Sequence, residues 1–248
     1  MQFKPVVVIP VYNHPDTIGA MVRGVMEHGL HCLLVDDGSE PRCAAVLELL
    51  VRAHAGHVSL VKLPHNEGKG GALMAGLREV HRRGYTHAVQ IDADGQHDTR
   101  DIPRFLAQAE AHPQAVVCGC PLYDASVPKG RLYGRYATHV WVWINTLSLA
   151  IRDSMCGFRV YPLQSVVELI DQVKIGKRMD FDTEVMVRLF WRGVPVINQP
   201  TRVTYPQDGI SHFRLGRDNL LISRMHAVLF AGMLLRAPLL LWRKVGAA

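Results

Sequence analysis

His87-Ala-Val-Gln-Ile-Asp-Ala-Asp-Gly-Gln-His97 joins an apolar run to a cluster of polar groups, and the rest of the chain is ordered around it. His87 to Ile91 has the length and character of a buried strand, and two carboxylates one residue apart stand where that strand should end. Alternate side chains of an extended segment point the same way, so Asp92 and Asp94 converge. Converging carboxylates repel unless a proton or a cation lies between them. A hard divalent ion held by one or two carboxylates, its shell completed by substrate phosphates, is how Mg²⁺ is usually bound. Gly95 permits a sharp turn, and Gln96, His97 and Asp98 add potential ligands. Taken alone, the motif reads more simply as a polar loop in which Asp98 or Thr99 caps a helix starting near Arg100. The neighbouring motifs shift that balance.

Towards the N-terminus the same pattern recurs. Val6–Ile9 is a continuous apolar run, as expected for a strand covered on both faces, and it ends in Pro10-Val-Tyr12-Asn13. Pro15 suits the first turn of a helix reaching about His28. A second strand, Cys32–Val35, ends in Asp36-Asp37-Gly38-Ser39, and Pro41 opens a helix to about Ala53. A third, Val58–Leu63, leads into Asn66-Glu-Gly-Lys69-Gly-Gly-Ala72 and a helix to about Arg83. The β-α-β-α-β-α-β order predicts a mostly parallel α/β sheet with helices on both faces. Ligands of such sheets sit beyond the carboxyl ends of the strands, where all four polar motifs fall.

The glycine-rich loop lacks the glycine spacing of a Walker A loop and of a dinucleotide fingerprint. It fits equally an anion site built from backbone N–H groups and Lys69, or a tight strand-to-helix connection with a solvated lysine. Beyond it are a helix, Ile102–Ala111, a strand, Ala115–Cys120, and a Pro-, Gly- and basic-rich loop over residues 121–135. Tyr136–Ile151 reads as an apolar helix, and a short strand follows Cys156-Gly-Phe-Arg159. A helix from Asp180 to Arg192 carries Asp180 and Glu184 on one face and Asp182 on nearly the opposite one, so only one set can face a given site. Pro195–Pro200 and Thr201–Tyr205 read as strands.

The chain has 248 residues, 48% hydrophobic and 20% charged, which suits one globular domain or one with an appendage. Five cysteines without zinc-finger spacing indicate reduced thiols in a cytosolic setting, and Val6–Ile9 is too short for the apolar core of a signal peptide. The net charge of +6 is concentrated from Arg214 onward, where six basic residues meet one acidic residue. Basic residues are not spread over the fold as a nucleic-acid surface requires, so no nucleic-acid partner is expected. A globular unit over residues 1–213 and a basic amphipathic tail over 214–248 are the expected divisions. Leu220–Trp242 is the most apolar stretch, but Arg236 and Pro238 interrupt it, leaving pieces too short to span a bilayer. A helix lying on an anionic membrane surface accounts for both its apolar and its basic residues.

Together the motifs resemble glycosyltransferase family 2. Ile9-Pro-Val-Tyr-Asn13, Asp36-Asp-Gly-Ser39, Asn66-x-Gly-Lys-Gly-Gly-Ala72, Asp92-Ala-Asp94, Cys156-Gly-Phe-Arg159 and Phe181-Asp-Thr-Glu184 occur in family order. Asp92-Ala-Asp-Gly-Gln-His97 is most similar to the polyprenyl-phosphate mannosyltransferase, or dolichol-phosphate mannose synthase-like, branch. The resemblance implies a GT-A fold and an inverting, metal-dependent, non-processive transfer of one sugar from a nucleotide-sugar donor. The implied acceptor is lipid-linked, either a polyprenyl phosphate or a lipid hydroxyl. The implied location is the cytoplasmic face of the membrane, where the chain acts alone or as a homo-oligomer.

Carried over residue by residue, Pro10, Tyr12, Asp36, Asp37, Lys69 and Asp92 are expected to bind the donor. Asp94, with Gln96 and His212, is expected to hold Mg²⁺ or Mn²⁺. Glu184, or with less support Asp182, takes the catalytic acidic position, and Arg131, Arg135 and Arg159 face the acceptor or its phosphate. His14 departs from the family, which usually carries an acidic residue there. A hydroxyl acceptor needs a general base, whereas a lipid phosphate is already anionic and needs none. Two rivals remain at this level, a sugar-phosphate nucleotidyltransferase and a non-catalytic nucleotide-sugar-binding protein of the membrane surface.

Overall fold

β1 (Pro5–Val11) sends Val6 and Val8 into one hydrophobic cluster and Val7 and Ile9 into another, all fully buried. A strand covered on both faces has no reason to alternate polar and apolar residues, which is why its sequence is a continuous run. In the computed structural model, which describes residues 2–122, 129–204 and 215–245, seven strands form one sheet. The others are β2 (Cys32–Asp36), β3 (Val58–Lys62), β4 (His87–Gln90), β5 (Val116–Leu122), β6 (Arg159–Pro162) and β7 (Val196–Arg202). Their order is β3-β2-β1-β4-β6-β5-β7, parallel throughout except for β6.

Helices α1 (Ile18–Met26), α2 (Pro41–Ala53) and α4 (Ile102–Ala111) cover the Val7/Ile9 face through Val22, Leu47 and Phe105. Helices α3 (Lys69–Arg82), α6 (Leu163–Gln172) and α7 (Phe181–Trp191) cover the Val6/Val8 face through Leu77, Val166 and Val185. α5 (Lys129–Thr146) and α8 (Leu215–Val245) pack on each other and on α7.

Two features of the topology build a rim. The strand order reverses between β1 and β4, so the loops leaving their carboxyl ends flank a crevice. β6 runs antiparallel to β4 with Gln90 opposite Arg159, so the start of β6, not its end, reaches the same rim. Cys156-Gly-Phe-Arg159 is thereby brought beside the loop after β4. That loop is closed by a bridge between His97 and Val203 and by the Thr204 N–H donating to the Gln96 carbonyl.

The expected strands β1 to β5 and helices α1 to α4 are present, with bounds shifted by a few residues at some ends. Asp98 accepts the Arg100 N–H at the head of a 3₁₀ turn, Thr99–Asp101, that leads into α4. Four elements differ from expectation. α5 starts at Lys129 and ends at Thr146, so part of the expected loop over 121–135 is helical. α6 has no counterpart in the sequence reading. β7 is a single strand through Pro200, tolerated because β7 is an edge strand paired only with β5. α8 is one 31-residue helix through Pro238, long and apolar enough by composition to cross a bilayer, so the expected break into short pieces is corrected. Met225, Leu229, Met233 and Leu240 of α8 are buried in the same cluster as α7, which holds the helix on the protein along most of its length.

Candidate active site

Lys69 opens α3 and is drawn into the rim by three carboxylate contacts. Its Nζ lies 2.8 and 2.9 Å from the two oxygens of Asp92 and 2.7 Å from Asp182 Oδ2. Burial alone would lower the pKa of the ammonium, but Asp182 and Asp92 outweigh it and hold the pKa above the usual lysine value. Burial pushes Asp92 up, yet Lys69 and His97 bring it below its ordinary value. Lys69 is therefore a charged, partly buried hub rather than a solvated surface group.

The glycines around Lys69 serve close packing. Gly68 has φ +96°, and a Cβ there would lie 2.5 Å from the Lys177 carbonyl oxygen. A Cβ on Gly70 would collide with the Phe181 side chain, and the Gly71 N–H donates to Lys177 O at 2.9 Å. The loop thus seats the 176–181 segment, and with it the start of α7, against α3. This tight-connection reading explains the glycines, while the lysine has the chemistry.

Asp182 stands at the head of α7 and faces the rim. Its Oδ1 accepts the Gln90 side-chain amide at 3.0 Å and lies 3.6 Å from Arg159 Nη1. Glu184 faces elsewhere, as the opposed faces of the helix require. Its Oε2 accepts the Gly176 N–H at 2.8 Å and its Oε1 pairs with Arg188 at 2.7 Å. Both oxygens of Glu184 are thus committed to structure, one of them through an i,i+4 pair with Arg188.

Asp94 differs electrostatically from Asp92. Burial, and then the charge of Asp92, hold its carboxyl above the usual range, and its Oδ1 accepts the Gln96 N–H at 3.0 Å. Among the described residues no three His, Cys, Asp or Glu side chains stand together as a ready metal site. The donor set therefore fits a hard divalent cation in one way. Asp94 would supply a carboxylate, since Lys69 already neutralises Asp92, and substrate phosphates would complete the shell. His212 and the side chain of Arg131 lie outside the described residues.

Pro10 is buried and Tyr12 half-buried at the end of β1. Asn13 has φ +56°, a left-handed conformation that asparagine tolerates, and its N–H and side chain bond to Ser39 and Glu40. Asp36 accepts the Ser39 N–H at 2.9 Å. Asp37 accepts the N–H groups of Glu67 and Gly68 and the Asn66 amide, so it clamps the third loop to the second. Burial nevertheless raises its carboxyl above the usual range, more than these N–H groups lower it.

Two of the expected acceptor-facing arginines are otherwise engaged. Arg159 is fully buried and donates to the Asp182 and Ser154 carbonyls and to the Tyr161 hydroxyl, so it forms the floor beneath Asp182. Arg135 makes a two-pronged contact with Asp153 at 2.7 and 2.8 Å. Burial raises Asp153, but His139 and Arg135 overcome it and hold the carboxyl far below the usual range. Asp153 Oδ1 also accepts the Met155 and Cys156 N–H groups, fixing the turn before Gly157. A Cβ on Gly157 would collide with the Asp92 carboxylate, so glycine is required for that approach.

Gln90, Asp153, Gly157 and Tyr161 are absent from the sequence-level set. Gln90 and Tyr161 sit in strands, where polar side chains among apolar runs are the only signal. The Tyr161 hydroxyl donates to Gln90 Oε1 at 3.0 Å, completing a buried relay from Arg159 to Asp182.

The family model for glycosyl transferase family 2 matches residues 6–163. The chain is 30% identical to polyprenol monophosphomannose synthase of Mycolicibacterium smegmatis, over 84% of this chain and 80% of the relative. It is 25% identical to dolichyl-phosphate beta-glucosyltransferase of Dictyostelium discoideum, over 77% of this chain and 63% of the relative. A glucosyl-3-phosphoglycerate synthase from Mycobacterium tuberculosis, crystallised with Mn²⁺ and UDP-glucose, superposes with a TM-score of 0.66 at 15% identity, covering 93% of this chain and 79% of that one. That likeness shows the GT-A fold. These matches set aside the nucleotidyltransferase and the non-catalytic binding protein: the chain belongs to glycosyl transferase family 2 and is a glycosyltransferase.

Proposed function

We propose that this enzyme transfers one sugar, with inversion, from a nucleoside-diphosphate sugar to a lipid-linked acceptor, a polyprenyl phosphate in the first instance. The observation that carries the reading is the Lys69–Asp92–Asp182 cluster at the strand reversal, with the unneutralised Asp94 beside it. The names of the two relatives, a polyprenol monophosphomannose synthase and a dolichyl-phosphate glucosyltransferase, support the acceptor class.

In this reading Pro10, Tyr12 and Asp36 hold the nucleoside, while Asp37 keeps the second and third loops in register. Asp94, with Gln96 and His212 as further candidates, holds Mg²⁺ or Mn²⁺, which when bound stabilises charge on the departing diphosphate. Lys69 adds a fixed positive charge on the same side. Proximity to Lys69 favours Asp182 over Glu184 for the catalytic acidic position. With a phosphate acceptor Asp182 orients the nucleophile's approach, and with a hydroxyl acceptor it takes the proton. Arg131 and Arg135 are assigned to the acceptor side, Arg135 through the loop that Asp153 fixes. Residues 214–248 rest on the cytoplasmic membrane surface, which makes encounter with a lipid-borne acceptor a two-dimensional search.

The test is a panel of nucleotide sugars incubated with polyprenyl phosphate, with Mg²⁺ or Mn²⁺. Appearance of a lipid-phosphate sugar from one donor supports the reading. Transfer only to a water-soluble acceptor sinks it.

A further inference from the structure

Three polar side chains of the central sheet sit where packing alone would favour apolar ones. Gln90 of β4 and Arg159 of β6 stand opposite each other across the antiparallel pair, and Tyr161 lies two residues along β6. The three therefore share the sheet face that α7 covers. All are 0% exposed. Buried polar groups need partners, and these find them in one another and at the head of α7.

The direction of each bond follows from chemistry. A guanidinium only donates. Arg159 Nη1 donates to the Asp182 carbonyl at 2.7 Å and to the Tyr161 hydroxyl at 3.0 Å, which uses both of its protons. The Tyr161 oxygen is thus an acceptor towards Arg159. Burial raises its phenol above the ordinary value, so it keeps the proton that it passes on as a hydrogen bond to Gln90 Oε1 at 3.0 Å. That bond leaves the Gln90 amide one orientation, with its nitrogen towards Asp182 Oδ1, also at 3.0 Å. A flipped amide would set its oxygen against the carboxylate, acceptor on acceptor.

The chain ends on one of two otherwise equivalent atoms. The last torsion of an aspartate is soft and two-fold, so its partners alone tell the oxygens apart. Gln90 takes Oδ1 inward, and Oδ2 turns to Lys69 at 2.7 Å.

We propose that Tyr161 and Gln90 are positioning residues for sugar transfer. With Arg159 they form a one-way hydrogen-bond chain that holds Asp182 Oδ1 inward and leaves Oδ2 as the oxygen presented to the reacting centre. The proposal rests on the proposed place of Asp182 in that centre and adds what orients it. Apolar side chains at positions 90 and 161 would fill the same space but would leave the carboxylate held at Oδ2 alone. Misplacing a reacting group by about 1 Å can cost on the order of 10²-fold in rate.

The experiment compares wild type with Tyr161→Phe, Gln90→Met and the double variant. It uses the nucleotide sugar selected by the donor panel, with polyprenyl phosphate as acceptor, and counts rates per folded molecule. Each single variant should lose about tenfold or more in kcat while donor KM stays within about twofold of wild type. The double variant should lose no more than the slower single, because a chain broken at one link is already broken. Tyr161→Phe removes one oxygen atom only, so it carries the test if Gln90→Met does not fold. A merely structural role would lower the unfolding temperature and leave kcat per folded molecule as in wild type, and that result overturns the proposal. So does a loss that multiplies in the double variant, or one carried by donor KM. Asp182→Asn separates this inference from the proposed function. Rapid transfer by Asp182→Asn would remove Asp182 from the centre, and the chain's role with it. A slow Asp182→Asn beside wild-type rates in the Tyr161 and Gln90 variants would overturn the chain alone.

Discussion

Lys69 Nζ lies 2.7 Å from Asp182 Oδ2 and 2.8 Å from Asp92 Oδ1, so one ammonium ties the start of α3, the end of β4 and the head of α7. Replacing it by methionine leaves two carboxylates facing each other in a partly buried site. Removing one partner of a buried pair typically costs about 3–5 kcal/mol. The pH response should also change sign. In wild type the Asp92 carboxyl is held below its ordinary value, so its stabilisation is present above the usual aspartate range and is lost on acidification below it. In Lys69→Met the Asp92 carboxyl loses the ammonium that holds it down and is left to burial, so its pKa rises and stability should increase as pH falls from about 7 to about 5. Thermal unfolding at the two pH values checks this. A variant that behaves like wild type at both would contradict the ion-pair role.

Asp94→Asn tests the proposed metal position. The Asp94 carboxyl is raised by burial and by Asp92, so its charge costs stability at neutral pH. Without added metal the variant should unfold at the same temperature as wild type or a little higher. With Mg²⁺ or Mn²⁺ its sugar transfer should fall by at least about a hundredfold, the scale of losing a charge-stabilising group. Retained transfer in a well-folded variant would remove Asp94 from the metal site.

The parallel half of the fold is legible because its strands are covered on both faces and therefore read as unbroken apolar runs, each ending in a polar loop. The rim is legible for the same reason, since Asp36 and Asp92 fall at or just beyond strand ends and Lys69 opens the helix after β3. What the sequence leaves open is which of two opposed helix faces is turned inward. Asp182 and Glu184 are both consistent with a catalytic carboxylate by spacing, and only the packing of α7 against Gly70 and Gly176 separates them. Arg159 is recognisable by motif, but its burial depends on the antiparallel entry of β6, which no local pattern announces. The Arg135–Asp153 pair spans 18 residues and joins a helix that the basic, glycine-containing stretch after Lys129 disguises as a loop.

Burial governs thiol reactivity. It pushes Cys32 and Cys118 up to about 12 and raises Cys156 well above the usual thiol value, while Cys43 is also buried. Only Cys120 is partly accessible, and burial raises its thiol too. A disulfide-exchange reagent should therefore modify at most one thiol of the native protein, slowly, and all five after denaturation. Rapid reaction of two or more native thiols would contradict the packing around β5 and the Cys156 turn.

Gly157→Ala tests the approach of the β6 entry to Asp92. The added methyl would meet the Asp92 carboxylate, which can swing aside, rather than rigid backbone. The variant should fold with an unfolding temperature within a few degrees of wild type, yet lose transfer on the order of tenfold or more as Asp92 leaves Lys69. Full activity would mean that the Lys69–Asp92 contact is dispensable.

The most direct measurement is single-turnover sugar transfer to lipid acceptor at saturating donor, comparing Asp182→Asn with Glu184→Gln. Asp182→Asn is expected to slow transfer by a factor on the order of 10²–10⁴ with donor binding nearly unchanged, as for a group acting on the reacting atoms. Glu184→Gln, which weakens the bonds to Gly176 and Arg188, is expected to lower the unfolding temperature while its folded fraction transfers within about tenfold of wild type. The opposite outcome, rapid transfer by Asp182→Asn and a fully folded but inactive Glu184→Gln, would contradict a reacting centre built on Lys69, Asp92 and Asp182.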